Sequence, residues 1–238
     1  MIRNIYKRVA AGAALFTFEL LFVWLLFLVC IVTFLYIGAE LLQGDTLGFD
    51  EAAFDFAASL GSPAMDSFIK FITFFASQQF LIPAGLILIA YFLFVRKHRW
   101  YSLKVPVVAL GSISLNLILK YFFDRERPME PLVKASGLSF PSGHSMMAAS
   151  FYGLIIYLVW QNVESKALKY TLTVLLLTFA FLIGFSRIYL RVHYATDVVA
   201  GFAAGFLWVI IGIGALRRIE RYSKKEITPV LEDDPVVK

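Results

Sequence analysis

Residues 168–216 read LKYTLTVLLLTFAFLIGFSRIYLRVHYATDVVAGFAAGFLWVIIGIGAL, and this stretch decides the fold. Two apolar runs, at 168–188 and 195–216, flank a short polar junction. Each run has roughly the 20 residues needed to cross a hydrocarbon core. The junction holds Ser186-Arg187-x5-His193-x3-Asp197, so a cation, an imidazole and a carboxylate sit where one span ends and the next begins. Ionisable groups at that depth are costly to place, and they mark function.

Four further runs of the same kind lie upstream, at 15–38, 79–95, 101–122 and 144–161. The second ends at Arg96-Lys97-His98-Arg99, and the third contains Pro106, which bundled helices tolerate. The expected fold is all-α, an integral membrane bundle of six transmembrane helices. Composition agrees: 60% of the 238 residues are hydrophobic and only 16% are charged. Soluble domains carry about 45–50% apolar and about 25% charged residues. The apolar run after Arg3, Lys7 and Arg8 is too long for a cleaved signal peptide and lacks a small-residue cleavage site. It reads as a retained anchor, interrupted by Glu19 near its cytoplasmic end. One domain is expected over 1–221, followed by a polar, disordered cytoplasmic tail at 222–238.

Charge sets the orientation. Lys and Arg concentrate at the N-terminus, in the 96–104 and 161–169 loops, and after 216, so these regions and both termini are expected in the cytoplasm. A bacterial inner membrane is the expected location. The 39–78 connection carries Glu40, Asp45, Asp50, Glu51, Asp55 and Asp66 against Lys70 alone, and faces outward. Within it, Phe54, Ala57 and Ala58 and then Phe68, Ile72 and Phe75 repeat at helical spacing, broken by Gly61-Ser62-Pro63. Two short interfacial helices are expected in this first outer loop, packing over the bundle or forming part of a substrate entrance. The net charge of +5 is spread in short clusters between apolar runs, which opposes nucleic-acid binding. The single Cys30 permits no internal disulfide.

Two more polar groups join the first at the same membrane face. Lys120-x6-Arg127-Pro128 closes the third span, and Pro141-Ser142-Gly143-His144 opens the fourth. Two of the chain's three histidines are thus spent here. Lys120, Arg127 and Arg187 can neutralise a phosphate, the Arg forks in bidentate fashion and the Lys as a point charge. Singly, each would read as interfacial snorkelling; three together would repel one another unless an anion joined them. The start of a helix at Ser142-Gly143 offers free amides to an anion, or merely a serine cap. His193 and Asp197 share one helical face, where a carboxylate fixes the imidazole tautomer. His144 is the candidate general acid. A metal is not expected, because the surroundings are cationic and no further ligand cluster completes a set.

Together the three groups resemble the signature of the type 2 phosphatidic acid phosphatase superfamily, without departure at any signature position. The resemblance implies a membrane lipid phosphatase without cofactor or metal. Lys120, Arg127 and Arg187 would bind the phosphoryl oxygens with Ser142 and Gly143. His193 would attack phosphorus and carry a phosphohistidine, Asp197 would orient it, and His144 would protonate the leaving oxygen and then activate water. Soluble haloperoxidases of the same superfamily hold vanadate in a similar site, but this chain reads as membrane-embedded.

The expected substrates are a lipid phosphate or diphosphate of the undecaprenyl pyrophosphate or phosphatidylglycerophosphate type, with membrane lipids as surroundings. Lipid A 1-phosphatase or phosphotransferase activity, a sugar-phosphate phosphatase, and non-enzymatic lipid-phosphate binding or transport are the alternatives. Gly201-x3-Gly205 is a close-packing pattern, for use inside the bundle or in a homodimer.

Overall fold

The computed structural model describes residues 2–44 and 48–224, with side chains from residue 20 onward. The first residues of the anchor, Glu19 included, and residues 225–238 of the expected tail therefore fall outside what is described of side chains and backbone respectively. Among the described residues all regular structure is helical. The helices are α1 (Ile2–Gln43), α2 (Gly48–Ser59), α3 (Pro63–Phe74), α4 (Gln78–Ala90), α5 (Arg99–Phe123), α6 (Gly143–Asn162), α7 (Lys166–Tyr189) and α8 (Ala195–Tyr222). α4 runs on through a wider π turn at Tyr91–Val95. Six of these helices are long and apolar enough to cross a membrane: α1 from Leu20, α4 with its π turn, and α5 to α8. The chain is an integral, multi-pass membrane protein, as its runs of sequence lead one to expect.

The elements start and stop for local reasons. Ser62, Ser142 and Ser165 each accept from the amide three residues on and so cap α3, α6 and α7. Pro63 follows Ser62 at the first helical position, where its missing N–H costs nothing. α5 ends at Asp124, whose left-handed backbone (φ 47°) turns the chain into the 124–142 loop. At the start of α8, Asp197 reaches back to accept from the Tyr194 amide at 2.9 Å.

α6 and α8 form the centre, with about half of each apolar window buried against 11% for α1 and α4. Lipid supplies no hydrophobic force between helices, so small residues and close packing hold the centre together. Gly201 and Gly205 face α6: a Cβ at Gly201 would stand 2.7 Å from the Ser142 carbonyl, and one at Gly205 2.5 Å from that of Met146. The glycine pair is therefore used within the bundle. Ser112 on α5 and Ser150 on α6 share a buried hydrogen bond of 2.9 Å.

α2 and α3 lie over the motif end. Ala57 and Ile69 pack with Tyr189, Leu190 and Val192, at the end of α7 and just beyond it. α3 forms where the repeat of Phe68, Ile72 and Phe75 places a helix; Ile69 and Ile72 are buried, while Phe68 is exposed. Phe75 meets Phe80 and Phe179 edge-on, and its carbonyl accepts from Tyr152 of α6 at 2.9 Å. This pair of short helices is thus seated on the bundle through several contacts.

Candidate active site

The motif ends of α5, α6, α7 and α8 meet beneath α2 and α3. His193 lies in the short turn between α7 and α8, 2% exposed, and Asp197 in the first turn of α8 is wholly buried. His193 Nδ1 faces Asp197 Oδ2 at 3.5 Å and Ser139 Oγ at 3.3 Å. Ser139 in turn donates to the same carboxylate oxygen at 2.5 Å. On the other side of the ring, Arg127 Nη1 stands 3.4 Å from His193 Nε2. With Asp197 and Ser139 at Nδ1, the proton belongs there and the Nε2 lone pair faces Arg127.

The remaining expected residues close around this pair. Arg127 is tied down by the carbonyls of Ser136, Gly137 and Val192. Lys120 Nζ donates to the Leu138 carbonyl and, at 3.4 Å, to that of Ser139. Arg187 Nη1 donates to Thr73 of α3 at 2.7 Å, while its buried Nε has no partner. A buried guanidinium nitrogen without an acceptor is rare, and a phosphoryl oxygen is the natural group to satisfy it. The Ser142 amide donates to the Asp197 carbonyl at 3.0 Å, which ties the start of α6 to the start of α8. The Ser142 hydroxyl is occupied as the cap of α6, accepting from Ser145. The first amides of α6, those of Gly143 and His144, then lead the helix's positive end. His144 follows directly, within electrostatic reach of Arg127, Arg187 and His193. Burial above all pushes the His193 imidazole down to about 4; Asp197 opposes this, and Arg127 and Arg187 add to it. The ring is neutral near pH 7, as a nucleophile or base must be.

All eight residues named from the sequence fall in this one region. The third histidine, His98, caps α5 at the opposite end of the bundle and stacks on Tyr101 at 3.8 Å. Four further residues escaped the sequence reading. Arg125 Nη1 donates to Asp197 Oδ1 at 2.7 Å, Asp50 of α2 pairs with Arg125 Nη2 at 3.1 Å, and Ser139 and Thr73 make the contacts above. Arg125 lies inside the first motif, two positions before Arg127, and a third cation there was the available signal. Asp50 and Thr73 carry no such mark.

A cleft of about 580 Å³ runs between α4 and α5 and reaches Gly143 and His144. Its walls include Leu81, Gly85, Val105, Ala109 and Met147, and its rim includes the exposed Ile82, Leu86, Leu110 and Leu117.

The model of the PAP2 superfamily matches residues 101–220, the stretch that carries all three motifs. The chain belongs to the PAP2 superfamily. It is 34% identical to phosphatidylglycerophosphatase B of Bacillus subtilis over 197 residues, covering 81% of this chain and 95% of that protein. It is 24% identical to an undecaprenyl-diphosphatase of Sulfolobus acidocaldarius, over 84% of this chain and 97% of the other. Among solved structures, the PAP2-type phosphatidylglycerolphosphate phosphatase of Bacillus subtilis superposes with a TM-score of 0.74 at 32% identity. That match covers 82% of this chain and 98% of the other, so this PAP2 protein shares its architecture along nearly the whole of that relative.

Proposed function

We propose that this PAP2 membrane phosphatase hydrolyses the terminal phosphate of a lipid phosphate or diphosphate at the extracytoplasmic face, through a phosphohistidine at His193. The observation that carries the reading is the opposed facing of the His193 ring: Nδ1 toward Asp197 and Ser139, Nε2 toward Arg127. Nε2 attacks phosphorus as the bond from phosphorus to the leaving oxygen breaks, and His144 gives that oxygen its proton. Water, losing its proton to His144, then attacks the phosphohistidine. The phosphorus–nitrogen bond breaks, and inorganic phosphate leaves. Lys120, Arg127 and Arg187 hold the phosphoryl oxygens throughout, with Gly143 at the start of α6. Each step rests on side chains and the backbone amide at Gly143, and the proposed route needs no metal.

Phosphatidylglycerophosphate and undecaprenyl pyrophosphate are the substrates the relatives favour. The apolar cleft between α4 and α5 supports a lipid: its rim is exposed and apolar on two helices long enough to cross a membrane, and its lining reaches His144. A hydrocarbon chain can lie there while its phosphate reaches the cations. In this reading the basic loops and both termini are cytoplasmic.

The test is phosphate release by detergent-purified protein in EDTA, from phosphatidylglycerophosphate, undecaprenyl pyrophosphate, phosphatidic acid, lipid A and glucose 6-phosphate. Release that disappears in His193→Ala is the expected result, with a lipid preferred over the sugar phosphate. Equal activity in that variant would refute the nucleophile. Dependence on added divalent metal would refute the metal-free route.

A further inference from the structure

Asp50 is an unusual residue for an outer helix. Only 5% exposed, it is the one acidic side chain of α2 that the structure buries. Its Oδ1 accepts from the Thr196 amide at 2.8 Å, and its Oδ2 from the Thr196 hydroxyl at 2.8 Å. Thr196 is the second residue of α8, so Asp50 caps from another helix the turn that carries Asp197. Asp50 Oδ2 also receives Arg125 Nη2 at 3.1 Å, while Arg125 Nη1 donates to Asp197 Oδ1 at 2.7 Å. The guanidinium lies 3.9 Å from the Tyr194 ring centroid, which fixes its plane.

One guanidinium thus spans two carboxylates, one inside the motifs and one outside them. The fork reaches both only in a single orientation. Burying the Asp50 charge carries a desolvation cost, and its complete set of partners offsets it. With Asp50 gone, the whole cation would fall on Asp197 and weaken that carboxylate as an acceptor for the His193 Nδ1 proton. The first turn of α8 would also lose its acceptor at Thr196.

We propose that Asp50 and Arg125 are positioning residues of the reaction, in which Asp50 fixes Arg125 so that the guanidinium holds Asp197 toward His193. This rests on the phosphohistidine reading above, and it makes α2 part of the device that sets the nucleophile. The charged and titratable groups around His193 are Asp197 of α8, Arg125 and Arg127 of the 124–142 loop, Lys120 of α5, His144 of α6 and Arg187 of α7. Asp50 does not touch the ring; it acts through Arg125 and Asp197 and through the Thr196 turn that carries Asp197.

The experiment compares full-length wild type with Asp50→Asn, Arg125→Lys and the double variant in detergent. Asn keeps the shape and one acceptor at Thr196 but loses the charge; Lys keeps the charge but cannot span both carboxylates. Steady-state kinetics should show kcat reduced about 10- to 100-fold in each single variant, with KM within about threefold. Because the two residues act as one unit, the double variant should be no slower than the worse single one. Nitrogen NMR of labelled histidine gives a second readout that needs no turnover, with three imidazoles to resolve and His193→Ala to assign the third. Wild type should show the Nδ1–H tautomer at His193, and both single variants a mixture.

A kcat for Asp50→Asn within about twofold of wild type, or losses that multiply in the double variant, would overturn the proposal. So would a loss that tracks a lowered melting temperature and vanishes on cooling, or a His193 tautomer unchanged in both variants. If wild type itself releases no phosphate, the hydrolase reading falls, and the tautomer measurement still decides the positioning role.

Discussion

Arg127 Nη1 lies 3.4 Å from His193 Nε2, so a fixed cation faces the imidazole nitrogen that points away from Asp197. Three backbone carbonyls, of Ser136, Gly137 and Val192, hold the guanidinium there at 2.7–3.0 Å. In the proposed reaction a phosphoryl group arriving at Nε2 would meet this cation. Arg127→Lys keeps the charge and abandons the fork together with most of these anchors. It should lower kcat/KM by about 100-fold, the usual scale for an Å-sized misplacement of a binding group. Steady-state phosphate release measures this, and a value near wild type would mean that charge alone suffices.

The pH profile follows from the same ring. Burial holds His193 at about 4, so above that pH it stays neutral, as the proposed attack requires. The acid limb of kcat/KM in the free enzyme should therefore fall near pH 4, well below the ordinary imidazole value of about 6.5. Asp197 raises the His193 value, so Asp197→Asn should move the limb to lower pH while kcat falls. A bound phosphate dianion favours the imidazolium, so the limb of kcat should lie above that of kcat/KM. Stability runs with the same sign: the unfolded chain takes up this proton from about 6.5 downward and the folded chain only near 4, so stability is lost between those values as pH falls. A limb near 6.5 in detergent would show that the ring is wetter than the structure has it.

Much of this site was legible because its residues sit at the ends of apolar runs of similar length. Lys120, Arg187 and His193 are brought to one level by that arithmetic, although more than 60 residues separate Lys120 from Arg187. The residues that were missed are those whose partners lie across the fold. Asp50 read as one more carboxylate in an acidic loop, a topology signal, whereas it binds Arg125 and Thr196, the latter 146 positions away. Ser139 stands outside the three motifs, yet it bridges His193 and Asp197. In α3 the sequence marks Phe68, Ile72 and Phe75 at helical spacing, and the structure buries Ile72 together with Ile69 while Phe68 stays exposed. An interfacial helix can turn a Phe outward at little cost, and Ile69 fills the site against Tyr189 and Leu190.

The glycine pair of α8 ties stability to activity. A Cβ at Gly201 would meet the Ser142 carbonyl at 2.7 Å and Ser145 Cβ at 3.0 Å, and neither can retreat without moving the start of α6. That start carries Gly143 and His144, and the α8 side carries Asp197. Gly201→Ala should cost about 1–3 kcal/mol through overpacking and reduce kcat as well. Gly214→Ala, with nothing within 4 Å of the added Cβ, should be neutral or slightly stabilising through helix propensity. Thermal unfolding in detergent with parallel assays separates the two, and an unaffected Gly201→Ala would mean that the helices can spread without consequence.

The cleft between α4 and α5 makes a prediction about chain length. Ala109 and Gly85 line it from facing helices, with Met147 and His144 further in. Ala109→Trp places an indole where a hydrocarbon chain would lie and leaves the contacts among Arg127, His193 and Asp197 untouched. If the lipid uses this cleft, KM for a long-chain substrate should rise about tenfold, or about 1.4 kcal/mol of binding, with a smaller rise for a short-chain, water-soluble phosphate ester. The comparison matters more than either value. An equal loss for both substrates would mean that the indole disturbs the phosphate site itself, and no loss for either would place the lipid chain on another face of the bundle.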